Sequence, residues 1–152
     1  MLLTVFVGSA APTSVPLVER IELRRSGSTS LDIEVNRRGE SRYDAFDPDL
    51  HGHRRGTFRL SAQQYDDLVA RLAVYRRKSV PMNDASMRAL MRQTCPAGVD
   101  FATDMGSIWI HWIGPGTDEH YFADLGCDRY RNARRNEDLW SILRSLPAPV
   151  DS

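Results

Sequence analysis

Lysine is almost missing from this chain: Lys78 is the only one, and arginine supplies the rest of the basic charge. An arginine bias of this kind fits a GC-rich genome, so it carries no demand for guanidinium chemistry. A surplus of either charge is missing too, since the formal net charge is zero. That removes the electrostatic argument for nucleic acid or an anionic membrane as partner. No apolar run approaches the ~18 residues a membrane span requires. Glycine-rich phosphate loops, nucleophile elbows and zinc-protease spacings are absent as well. Cysteine is scarce, with only Cys95 and Cys127, and their separation excludes a Cys-x-x-Cys redox motif.

What is present reads as an ordinary folded domain. The 152 residues are 41% hydrophobic and 26% charged, enough for one core and one domain. The organising stretch is Ser107 to Cys127. Ile108, Trp109, Ile110, Trp112 and Ile113 are β-branched or aromatic, with both faces apolar, so a central strand is expected. Gly114 to Asp118 reads as a five-residue reversal into a second strand. That loop length pairs Trp112 with His120 and His111 with Tyr121, sending the two histidines to opposite faces. Trp109 and Trp112 also fall on opposite faces, and the richer apolar company of Trp112 (Ile108, Ile110) assigns it to the core.

Upstream, Leu17 to Leu23 and Leu31 to Val35 alternate apolar and polar residues, as half-buried strands do. Arg37 to Glu40 is a hairpin turn with Gly39 at the positive-φ position, and Arg42 to Phe46 returns. Asp47 to Arg55 reads as a charged loop, followed by a short strand from Gly56 to Leu60. Ser61 with Gln64 forms a capping box for a helix whose stripe is Tyr65, Leu68, Val69, Leu72 and Tyr75. A second helix runs from Asp84 or Ala85 to Arg92. A third starts near Asn136, buries Leu139, Trp140, Leu143 and Leu146, and stops at Pro147. The order ββββ-α-α-ββ-α predicts an α+β fold, an antiparallel sheet of about six strands with helices packed on one face. Residues 1–16 form a signal-like or unstructured N-terminus, 17–147 the domain, and 148–152 a tail.

The N-terminus MLLTVFVGSAA offers an apolar run followed by small residues that a signal peptidase accepts, with cleavage expected after Ala10 or Ala11. The alternative is a buried first strand in a cytosolic protein. In an exported chain Cys95 and Cys127 pair as a structural disulfide, closing a loop over residues 95–127 that contributes roughly 3–4 kcal/mol by chain entropy.

Gly56-Thr57-Phe58-Arg59-Leu60-Ser61 ahead of an amphipathic helix, then Cys95-Pro96, Thr103-Asp104, a Trp-bearing strand and Gly126-Cys127, resembles an uncharacterised bacterial domain family. Its members are mostly exported or lipid-anchored proteins of unknown function. The family commonly carries Cys-x-Gly-x-Cys-Pro where this chain has Arg24-Arg25-Ser26-Gly27-Ser28-Thr29. The resemblance implies export and an α+β fold; it implies no reaction.

Candidate sites are few. His51 and His53, with Asp47 and Asp49, have the donor types for zinc or copper, although Arg54 and Arg55 oppose a cation there. His120, Asp124 and Cys127 fail as a nucleophilic set, because Cys127 falls on the other strand face from the first two. Glu119 and Asp124 likewise sit on opposite faces and fail as paired carboxylates. Arg129, Tyr130, Arg131, Arg134 and Arg135 could grip phosphate, but Asp124, Asp128, Glu137 and Asp138 neutralise them. The expectation is therefore a non-enzymatic, exported envelope module without a cofactor. It binds a protein or small ligand through one sheet face, with Trp109, His111 and Tyr121 as contacts. The alternative is a metal-binding protein or metal-dependent enzyme built on the His51/His53 loop.

Overall fold

The computed structural model describes residues 17–49 and 52–149. The signal-like stretch 1–16, and His51 of the candidate metal loop, lie outside the described residues. Among the described residues seven strands form one antiparallel sheet: β1 (Arg20–Ser26), β2 (Ser30–Asn36), β3 (Glu40–Asp47), β4 (Gly52–Arg59), β5 (Val80–Pro81), β6 (Ser107–Gly114) and β7 (Thr117–Asp124). Their spatial order is β4-β3-β2-β1-β6-β7-β5. Four consecutive strands make a meander, and the β6–β7 hairpin joins it at β1, which places β6 in the interior of the sheet as its two apolar faces require. Three α-helices among the described residues complete an α+β fold: α1 (Ala62–Arg76), α2 (Asp84–Thr94) and α3 (Ala133–Arg144).

Alternation along the strands divides the sheet into two faces. Ile21, Leu23, Leu31, Ile33, Val35, Ile108, Ile110 and Trp112 point to one side and form the core with Leu68, Leu72, Leu139, Ile142 and Leu143 of α1 and α3. Trp112 is 2% exposed there. The two helices are locked together on this face. Tyr75 donates to Asp138 Oδ2 at 2.6 Å, and Arg71 Nη2 to Ser141 Oγ at 3.0 Å. Burial first, then that bond to Asp138, pushes the Tyr75 phenol well above its ordinary range. At the start of α1, Ser61 accepts from the Gln64 amide and the Gln64 side chain accepts from the Ser61 amide, closing the capping box.

The second helix departs from the expected single helical layer. Leu90, the one buried residue of α2, is not part of that core. Thr94 Oγ1 donates to the Phe122 carbonyl at 3.4 Å, and Met82, just before the helix, lines the opposite face. α2 thus lies over the β7–β5 end of the other side. Two ties hold it. Val80 pairs with His120 through β5, and Cys95, the cap of α2, is bonded to Cys127 with a Cα–Cα distance of 5.5 Å.

Several boundaries moved, β1 among them from Leu17–Leu23 to Arg20–Ser26, and two of the shifts bear on the site. The reversal between β6 and β7 takes two residues, Pro115 and Gly116, with Gly114 paired to Thr117. Proline presets the first turn position, and Gly116 at φ +70° supplies the left-handed second one. Residues 52–55, expected as loop, are the first half of β4. An edge strand wetted on both faces shows no period-2 pattern, so His53-Arg54-Arg55 carries no strand signal in the sequence.

Candidate functional site

The shorter turn shifts the β6–β7 register by one residue, and the site follows from that shift. His111 now stands directly opposite His120, and Trp112 opposite Glu119. The two histidines share a face instead of pointing apart. Tyr121, expected beside Trp109 and His111, is instead under the helices, where its ring meets Tyr75 at 5.1 Å and burial raises its phenol pKa. Trp109 and His111 remain on the uncovered face, and Tyr121 leaves the candidate set.

On that face the register lays out two rungs across five strands. One runs Trp109, Arg24, Asp32, Asp44, Arg55; the next runs His111, Glu22, Glu34, Arg42, Thr57. Side by side they make a floor of alternating charge. Arg24 Nε meets Asp32 Oδ1 at 2.7 Å, Arg42 Nη2 meets Glu34 Oε2 at 2.6 Å, and Arg55 Nε meets Asp44 Oδ2 at 2.7 Å. Two like-charged pairs, Glu22 with Glu34 and Asp32 with Asp44, also stand directly opposite one another. Such neighbours destabilise a sheet, and the flanking arginines offset the cost. Asp44 also takes a 2.7 Å contact from His53 Nδ1; that bond first, and the Arg55 bond second, hold its carboxyl below the ordinary range.

The Trp109 end is built differently. Its indole stacks on the His120 ring at 5.0 Å and meets the edge of Phe122 at 5.6 Å. His120 is fully buried, and neither of its ring nitrogens finds a hydrogen-bond partner among the described residues. Burial first, then the neighbouring His111, keeps its pKa below the ordinary histidine value. His111 lies between Asp118 Oδ1 at 2.7 Å and Glu22 Oε2 at 3.4 Å. Met82 closes this end, and the whole floor lines a groove of about 960 Å³, a size that suits a small ligand or a short peptide.

No protein-family model matches this chain, and no curated protein matches it.

The remaining candidates fall elsewhere. His53 belongs to β4 and is engaged with Asp44, while Asp47 Oδ1 accepts from the Asp49 amide. Among the described residues no group of three or more histidine, cysteine, aspartate or glutamate side chains is arranged to hold a metal ion. Cys127 is in the disulfide, and Asp124 Oδ1 accepts from the Gly126 and Cys127 amides. Arg135 turns inward to the Asp124 carbonyl at 2.6 Å, while Arg129 lies over the Tyr130 ring at 4.9 Å beside a shallower hollow under α3.

The charged rungs of β2 and β3 and the apolar stop at Met82 were not singled out from the sequence. A signal for the rungs was there. Alternation fixed Asp32 and Glu34 on one face, and the Arg37–Gly39 turn sets Arg42 and Asp44 beside them. Met82 had none, because only the path of the chain into α2 brings it over the sheet.

Proposed function

We propose that this protein is a non-enzymatic binding module of the bacterial cell envelope, and that its uncovered sheet face holds a protein segment or small ligand. The groove carries this reading: a concave floor with an aromatic and thioether end at Trp109 and Met82, and fixed donors and acceptors along the rest. Such a mixture of apolar wall and few oriented polar groups is what orients a ligand in a site. The paired charges suit a ligand presenting both hydrogen-bond donors and acceptors rather than a simple ion. Both thiols are joined to each other, and the groove's aspartates and Glu34 are engaged by arginine, which supports binding over chemistry. Envelope location is supported by the Cys95–Cys127 bond, since disulfides persist in oxidising compartments, and by the resemblance to exported domains.

The test is a set of amide and indole NMR spectra of the labelled protein, recorded with fractionated envelope extract. Perturbations centred on Trp109, His111, Arg42 and Arg55, and lost in Trp109→Ala, are expected. Perturbations confined to the Tyr130 hollow under α3 would sink the reading. Location is tested separately by mass spectrometry of protein from the envelope fraction, with and without reductant. Recovery only from the cytosol with two free thiols would remove the envelope from the proposal.

A further inference from the structure

The two edges of the sheet are finished differently. One ends in β5, two residues long and closed by Pro81, which has no amide hydrogen to offer a further strand. The other ends in β4, eight residues without proline, and among the described residues no strand lies beyond it. A long open edge of this kind is a template for strand addition.

Composition indicates which strand would fit. Gly52–Arg59 carries Arg54, Arg55, Arg59 and His53 and no carboxylate, in a chain whose net charge is zero. Arg55 and Arg59 reach back to Asp44 at 2.7 Å and Glu40 at 3.7 Å, yet their side chains remain 71% and 68% exposed. A guanidinium has five N–H donors, more than one carboxylate can take up. We propose that β4 receives an extended acidic segment of another protein as an eighth strand, with carboxylates spaced to meet Arg55 and Arg59. A second copy fits poorly, because β4 carries no carboxylate to meet the arginines of another β4. Residues 1–16 of the chain itself contain no carboxylate, so the same charge argument passes over them. This edge is separate from the Trp109 end of the groove, and the proposal does not depend on that end holding a ligand.

The experiment pans a random-peptide phage library on the immobilised full chain and measures the most enriched peptide by fluorescence anisotropy. Enriched peptides are expected to carry Asp or Glu two or four residues apart and to lack proline. Affinity should fall at least tenfold in Arg55→Glu/Arg59→Glu and further as salt rises, and stay within twofold in Trp109→Ala. Arg55→Ala/Arg59→Ala, with a melt to check folding, serves if the charge reversal disturbs the Asp44 contact. N-methylation of alternate peptide amides distinguishes strand addition from side-chain capture: one parity should abolish binding and the other spare it. Enrichment without acidic residues, indifference to methylation, or loss of binding in Trp109→Ala would overturn the proposal. So would a dimer of the free chain in sedimentation that Arg55→Glu/Arg59→Glu disperses, which would give the edge to a second copy.

Discussion

Trp109 and Trp112 stand three residues apart on one strand and have different surroundings. Trp112 is in the apolar layer under α1 and α3; Trp109 lies on the far side against His120 and Phe122. Trp112→Ala should cost about 3–5 kcal/mol in a urea melt, the range for deleting a buried aromatic, and Trp109→Ala distinctly less. That much was legible, since alternation alone separates the two indoles. The pairing of His111 with His120 was not, because one residue of turn length decides it and Gly114 to Asp118 admits more than one reversal. His120 makes its own prediction. Its folded pKa lies below the ordinary 6.5, so as pH falls past that value the unfolded chain takes up the proton before the folded one does. Stability should therefore be full above about pH 6.5 and decline below it, toward the lowered folded value. His111 and Asp118 face the same ring, and Asp118 acts in the opposite sense. Urea melts at pH 7.5 and 5.5 should show a smaller decline for His120→Phe than for the wild type. Equal declines would remove His120 as the cause.

At the scale of elements, local chemistry was the best guide where it is strongest. The capping box at Ser61 and the positive φ of Gly39 are where their residue types placed them. Ser61→Ala should cost about 1 kcal/mol in the same melts, the usual worth of a cap. β4 shows the opposite case: its charged residues face water on both sides, so no periodicity marked its first half as strand. α3 begins at Ala133, three residues ahead of the expected start, in a polar stretch without a side-chain cap. The disulfide joins the end of α2 to the segment after β7 across a separation of 32 residues. Reducing it, or replacing both cysteines by serine, should lower stability by roughly 3–4 kcal/mol through the unfolded chain. Hydrogen exchange should quicken first in α2, which buries a single residue. A reduced protein as stable as the oxidised one would contradict that role.

For the molecule as a whole, the α+β class followed from the sequence, and so did the chain order of elements except for β5 between α1 and α2. That strand, two residues ending in Pro81, is too short to show a strand pattern. The division of labour between the two faces did not follow. Periodicity says which side chains share a face but not which helix covers it, so α2 was expected beside α1 and α3. Its position over the β7–β5 end leaves the charged rungs open from β1 to β4 and stops the groove at Met82. One face of this sheet is core, and the proposed function rests on the other being a binding surface. The most direct measurement compares Trp109→Ala and Trp112→Ala for stability and for capture of envelope components per folded molecule. Trp112→Ala should lose much stability and retain capture, and Trp109→Ala should lose little stability and all capture. Equal large losses of stability, or undiminished capture by Trp109→Ala, would contradict that proposal.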